Sequence, residues 1–248
     1  MNFQLFIIGD EILEGRRQDK HFSAVLERLL ARGHGLAGVR YLPDDRDGLT
    51  AAFAETLSVG AHVISCGGIG ATPDDHTRQA LALAANVALE LHAEAAAFIV
   101  ARSGDAAYPH RIRMAEFPLG AQLIPNPVNQ VAGCSYRHHH LLPGFPEMAW
   151  PMLEWVLDHL YRPGEAPQKR SLIVPDAREG DLIALMEQLV DNHPALRFSC
   201  LPSFGNARHA GVHLEFTLTG DAQEAARAAD WLAGELTSRG YAPYVPGP

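Results

Sequence analysis

The chain has 248 residues, 47% hydrophobic and 20% charged, with a formal net charge of −9 at pH 7. These totals suit one large globular domain, or a domain of about 150 residues with a smaller companion, and exclude a disordered or fibrous chain. The acidic balance, with no run of Lys or Arg, argues against nucleic-acid binding, and three widely spaced cysteines fit neither a disulfide framework nor a zinc site.

No basic leader precedes the first apolar run, and no run approaches the roughly 20 apolar residues of a membrane span. A cytoplasmic protein that does not enter membranes is expected. Phe3 to Ile8 reads as a strand buried on both faces. After a polar stretch, Phe22, Val25, Leu26, Leu29 and Leu30 follow helical spacing, which stops at Gly33. Gly35 to Leu42 predicts a second strand. Leu49, Ala52, Phe53, Thr56 and Leu57 predict a second helix, Ala61 to Cys66 a third strand, and Pro73 to about Leu89 a third helix. Strands alternating with helices imply a parallel sheet covered on both faces.

Beyond this, His92 to Arg102 and the residues ending at Glu116 have helical character. Gln122 to Ile124 reads as a short strand and Tyr136 to Leu142 as another, with His138 and His140 on one exposed side. Ala149, Met152, Leu153, Val156, Leu157 and Leu160 mark a helix with Pro146 near its start. Arg162 to Pro167 has linker composition. The pattern then restarts as strand (171–174), helix (182–190), strand (196–201), strand (209–219) and an Ala-rich helix (221–239), with a last strand expected at 241–245. That order predicts a small α+β unit of split βαβ type.

Two loops combine glycine with acid where strands end. One is Gly9-Asp10-Glu11, the other Gly67-Gly68-Ile69-Gly70-Ala71-Thr72-Pro73-Asp74-Asp75. Ligands of open α/β sheets bind beyond the carboxyl ends of strands, so the two loops are expected to share one crevice. Thr72-Pro73 reads equally as a plain helix start. The glycines preceding it would leave backbone N–H groups for an anion, and nearby carboxylates are reconciled with a phosphate by a divalent cation between them. The segment is neither a Walker loop nor a dinucleotide fingerprint. Cys66 reads as a small buried residue rather than a nucleophile. Pro143-Gly144-Phe145 is a third loop, in which Gly144 permits close approach and Phe145 offers a ring for stacking.

Residues 9–15, 67–75 and 142–148 together resemble the motifs of the molybdopterin-binding (MoaB/Mog-like) domain, in the version found in competence/damage-inducible protein A and its stand-alone bacterial relatives. The resemblance covers residues 1–162, and residues 169–248 look like the small α+β domain that follows it there. It implies a three-layer α/β/α domain with a mostly parallel sheet, and a small phosphorylated ligand: molybdopterin or a nucleotide, held with Mg²⁺ or another divalent cation. A homo-oligomer is expected separately, with a dimer face formed by apolar residues of the last helix or of the alternating strand His209 to Thr219. The resemblance further implies hydrolysis of a nucleotide-type pyrophosphate such as ADP-ribose or FAD; the alternative is a non-catalytic pterin- or nucleotide-binding or scaffold protein. Carried onto this chain, Gly67, Gly68, Gly70, Thr72 and Gly144 would bind phosphate. Asp10, Glu11, Asp74 and Asp75 would hold metal, with Asp75, Asp74 and Asp10 also catalytic, and Asp19 is a further acidic position of the pattern. Ala71 stands where the family commonly has Pro, and His21 where it often has Asn. The loop Asn126 to Cys134, expected at the non-phosphate part of the ligand, departs from the Gly-rich version of longer relatives.

Overall fold

The computed structural model describes residues 1–164, 168–207 and 209–246. The chain divides into two compact units, Met1–Ala166 and Pro167–Pro248. The expected linker, Arg162 to Pro167, lies partly outside the described residues.

In the first unit, β1 (Asn2–Ile8), β2 (Gly35–Leu42), β3 (His62–Cys66), β6 (Gln122–Ile124), β7 (Gly133–Tyr136) and β8 (His139–Leu142) form one sheet in the order β2-β1-β3-β8-β7-β6. The first four strands of that order run parallel, while β7 is antiparallel to both neighbours. Alternation along β1 explains why apolar residues occupy both of its faces. Phe6 and Ile8 face a core built with α3 (Arg46–Ser58), α4 (Thr77–Ala84) and α5 (Ala93–Ser103). Phe3, Leu5 and Ile7 face a core built with α2 (His21–Ala31) and α6 (Pro146–Leu160). Each such side chain, fully buried, contributes about 1.5–3 kcal/mol, which fixes the register against a one-residue slip. The result is the three-layer α/β/α arrangement with a mostly parallel sheet.

Several sequence expectations are corrected. The third helix starts at Thr77 rather than Thr72-Pro73 and ends at Ala84, because residues 72–76 close on themselves as a turn. Leu89–Leu91 and Glu116–Pro118 pair as a separate ribbon, β4 and β5, where helical endings were expected; the Ile112 segment forms only a 3-10 turn, Arg111–Ala115. Tyr136 to Leu142 is not one strand. Arg137 adopts a left-handed conformation (φ 51°) and turns β7 into β8, so the alternation argument fails and His139 and His140 are both buried.

These histidines join a cluster at the amino ends of the parallel strands. His140 bridges Ser135 (2.7 Å) and the Tyr161 hydroxyl (2.6 Å), His62 meets the same hydroxyl at 3.0 Å, and His139 meets Thr56 Oγ1 at 2.9 Å. Phe3 packs among His34, His62 and Tyr161. Burial, reinforced by neighbouring imidazoles, pushes His139 down to about 4 and His140 to about 3, so both are neutral at pH 7.

The second unit contains β9 (Gln168–Pro175), α7 (Glu179–Asn192), β10 (Arg197–Ser203), β11 (His213–Gly220) and α8 (Ala222–Ser238). The sheet order β10-β11-β9, antiparallel at both pairings, places β11 between the two strands that α7 connects. This is the split βαβ pattern. Leu172, Val174, Leu214, Phe216 and Leu218 meet Leu185, Leu189, Leu232 and Leu236 in its core. Asp221 caps α8 by accepting from the N–H groups of Gln223 and Glu224. The expected last strand reduces to a single bridge, Ile173 to Tyr244.

Candidate ligand-binding site

Strands β1, β3 and β8 deliver three loops to one end of the sheet. After β1, a short helical turn, α1 (Asp10–Leu13), begins at Asp10. The Asp10 N–H donates to Asp44 Oδ2 (3.0 Å), and the Asp44 N–H donates to Asp10 Oδ1 (3.2 Å). This reciprocal clasp ties the loop after β1 to the loop after β2. Glu11 faces Arg17 at 3.6 Å.

After β3, the Gly67 N–H donates to the Leu142 carbonyl (3.0 Å), and Gly67 and Gly68 take positive φ values of 114° and 66°. A Cβ on Gly67 would strike the Ile8 carbonyl oxygen, and one on Gly68 would strike Thr77 Oγ1. Glycine at these two positions is therefore required by the fold itself. Thr77 secures the loop from below, donating its hydroxyl to the Gly67 carbonyl (3.0 Å) and its N–H to the Gly68 carbonyl (3.0 Å). The start of α4 is thus spent on holding the loop. The N–H groups of Gly68, Ile69, Gly70 and Ala71 find no acceptor among the described residues. Asp75 accepts from both the N–H (2.9 Å) and the hydroxyl (2.5 Å) of Thr72.

After β8, the Gly144 carbonyl meets His21 Nε2 at 3.2 Å. Burial pushes His21 down, so the neutral ring donates from Nε2 to that carbonyl. Under the glycine loop lies Arg78, 1% exposed. Its Nη2 donates to the Gly70 carbonyl (2.5 Å), while Nε and Nη1 have no partner among the described residues. Burial pushes this guanidinium down from its ordinary value.

These loops enclose a cavity of about 460 Å³. Of the residues singled out from sequence, Glu11, Gly67, Gly68, Gly70, Thr72, Asp74, Asp75 and Gly144 line it. Asp10 does not; it is turned onto the loop of Asp44. Asp44 itself lines the cavity. Burial, and then the charges of Asp10, Glu11 and Asp74, raise its carboxyl above the ordinary range. Asn126, Asn129 and Val131 supply a further wall. Among the described residues, no three His, Cys, Asp or Glu side chains converge to hold an ion. The donor set still suits Mg²⁺. Glu11, Asp44 and Asp74 offer hard carboxylate oxygens to one cavity, and Mg²⁺ is commonly held by one or two carboxylates with substrate phosphates and waters. Cys66 is buried and its thiol is pushed far up by desolvation, which leaves it inert.

The model of the family described as "Probable molybdopterin binding domain" matches residues 4–162. The chain belongs to the molybdopterin-binding domain family. A protein of Caldivirga maquilingensis is 32% identical over 197 residues, covering 77% of each chain. A CinA-like protein of Anaeromyxobacter dehalogenans is 30% identical over 240 residues, covering 92% of this chain and 57% of that one. The crystal structure of the protein CinA from Thermoplasma acidophilum shares 29% identity with a TM-score of 0.58, over 63% of this chain and 96% of that one. The molybdopterin-binding domain is thus similar to that of CinA-like proteins.

Sequence reasoning missed Asp44, Arg17 and Arg78 in this molybdopterin-binding domain. Asp44 was open to the rule that located the other loops, since it follows the carboxyl end of β2. Arg17 and Arg78 carry no local signal: one sits in a polar stretch, the other in a helix whose start had been placed several residues too early. No described helix is long and apolar enough to cross a membrane.

Proposed function

We propose that the cavity binds a phosphorylated pterin or a nucleotide diphosphate together with a divalent cation, and that it hydrolyses a nucleotide-type pyrophosphate of the ADP-ribose or FAD kind. The observation that carries this reading is the meeting, in one cavity, of unpaired loop N–H groups from Gly68 to Ala71 with carboxylates from three separate strand ends, Glu11, Asp44 and Asp74. Amides suit phosphate oxygens, and the carboxylates would repel them unless a cation intervened. Glu11, Asp44 and Asp74 would hold the cation, which when bound neutralises charge on the phosphoryl group. The loop amides would receive charge that develops on the oxygens during attack by water. Asp75, held by Thr72, keeps the loop in the shape that presents those amides.

Binding without turnover is the second reading. Asp75 is already committed to Thr72, and no preformed three-ligand metal group stands among the described residues. Incubation with ADP-ribose or FAD and Mg²⁺, Mn²⁺ or Co²⁺, followed by assay for AMP, separates the two. Release of AMP, reduced about tenfold or more by Asp75→Asn in a folded variant, supports the enzyme; binding without AMP release supports the second reading. A self-associating protein of the cytoplasm completes the proposal. The exposure of Leu201 and Phe204 supports self-association, and light scattering tests it.

A further inference from the structure

Behind the glycine loop lies a cation that the reading above leaves unused. Arg78 is the second residue of α4 and is buried. Among the described residues it forms no ion pair. Asp75 and Glu116 reach it only through their field. A guanidinium stays charged even when buried, and taking it from water without a carboxylate beside it costs a fold several kcal/mol. Its hydrogen bond, from Nη2, goes to the Gly70 carbonyl, and Nε and Nη1 find no acceptor among the described residues. A buried charge with so few partners calls for an explanation beyond packing.

The geometry of the loop supplies one. In a trans peptide the carbonyl and the N–H that follows it point in opposite directions. The carbonyls of Gly67 and Gly68 are tied to Thr77, and that of Gly70 is tied to Arg78. The N–H groups of Gly68, Ile69 and Ala71 are therefore turned away from α4, and all three residues line the main cavity. The two anchors differ in kind. Thr77 supplies neutral bonds. Arg78 supplies a charged donor, and a charge-assisted bond at the carbonyl of a peptide makes its N–H a stronger donor in turn. The Gly70–Ala71 peptide thus connects an interior charge to a cavity N–H.

We propose that Arg78 is a positioning residue for anion binding, which from behind the loop fixes the Gly70–Ala71 peptide with its N–H toward the cavity and polarises that N–H. This rests on the phosphate reading above and deepens it, by assigning a residue that never touches the ligand. An anion at Ala71 would sit one peptide away from the guanidinium and offset part of the cost of burying it. Lysine at this position can still bring a charged donor to the Gly70 carbonyl. Methionine fills much of the same space and brings neither charge nor donor.

Calorimetric titration of the whole chain with inorganic pyrophosphate and Mg²⁺ tests the assignment, run on the wild-type protein, Arg78→Met and Arg78→Lys, with urea denaturation of each. Arg78→Met is expected to weaken pyrophosphate binding about tenfold or more. Its denaturation midpoint is expected to stay level or rise, because buried donors without acceptors are removed. Arg78→Lys is expected to recover most of the lost affinity, which a packing role would not produce. A third measurement needs no variant: the Ala71 amide proton of the wild-type protein is expected to shift in nitrogen-correlated magnetic resonance spectra when pyrophosphate is added. Binding by Arg78→Met within about twofold of wild type, a loss that Arg78→Lys does not recover, or an Ala71 amide that ignores bound pyrophosphate overturns the assignment of Arg78 and leaves the phosphate reading standing. A wild-type protein that binds no pyrophosphate overturns the phosphate reading, and the proposal with it.

Discussion

At the carboxyl ends of β1, β2 and β3 the loops carry exposed or half-buried carboxylates around an open cavity, whereas at the amino ends β3 begins in the half-buried His62 and β8 in the buried, neutral His139 and His140, with Tyr161 and Phe3 packed beside them. The difference teaches where charge is tolerated. Asp10, Glu11, Asp44 and Asp74 remain close together because water, and a cation when present, can reach them. His139 and His140 are held in a core that accepts them only without charge. One end carries the cavity proposed for a ligand, and the other is packed for the stability of the sheet.

Acid is expected to destabilise the chain chiefly through the buried imidazoles at the amino ends of the strands, and this is the largest effect. The folded values of His139 and His140 lie below the ordinary 6.5. Between pH 6.5 and about 4 the unfolded chain therefore binds protons that the folded chain refuses, and stability falls as pH falls. The slope for two such groups approaches about 2.7 kcal/mol per pH unit. The raised carboxyl of Asp44 works the other way, because the folded chain takes up its proton first and gains stability on acidification. Two deeply buried rings outweigh one half-buried carboxyl. Urea denaturation of the whole chain at pH 7 and at pH 5 is expected to show lower stability at pH 5; equal or higher stability there would break the contrast.

Next in size is Gly67→Ala. The positive φ and the nearby Ile8 carbonyl leave no room for a methyl group, so a loss of about 2 kcal/mol or more is expected from the denaturation midpoint. An unchanged midpoint would mean that the loop rearranges freely. The smallest effect is that of Asp44→Asn. It keeps an acceptor for the Asp10 N–H and removes repulsion at the rim. Stability at neutral pH is expected to rise by about 0.5 kcal/mol or less, since the site is screened by solvent. Mg²⁺-dependent pyrophosphate binding is expected to weaken in the same variant, and calorimetry with and without the cation would sharpen the assignment of Asp44 to the ligand end.

The first half of the fold was legible because its signals are local and strong. Gly35 to Leu42 matches β2 at both ends, and the helical stripes before Gly33 and Gly60 mark α2 and α3. The rule that ligand loops follow parallel strands brought Gly9 and Gly67 to one cavity. What stayed hidden depends on contacts between distant residues. Nothing near His138 signals that Arg137 turns the chain, and Thr72-Pro73-Asp74-Asp75 has the composition of a helix start although its hydrogen bonds close a turn. The meaning of the glycines also changed. Gly67 and Gly68 are demanded by Ile8 and Thr77, so their presence alone argues for chain packing. The case for a ligand comes instead from the loop amides without acceptors and the acids beside them.

Arg78 links the architecture of this loop to how the protein would respond to selection. Its guanidinium is sealed in the interior with one bond made and two nitrogens idle among the described residues, and each buried donor without an acceptor carries a desolvation cost that an apolar side chain of similar size would not. A screen that rewards heat resistance would therefore enrich replacements of this arginine and, with them, slacken the carbonyl of Gly70. Robustness and grip would be traded against each other at a residue that never meets the solvent.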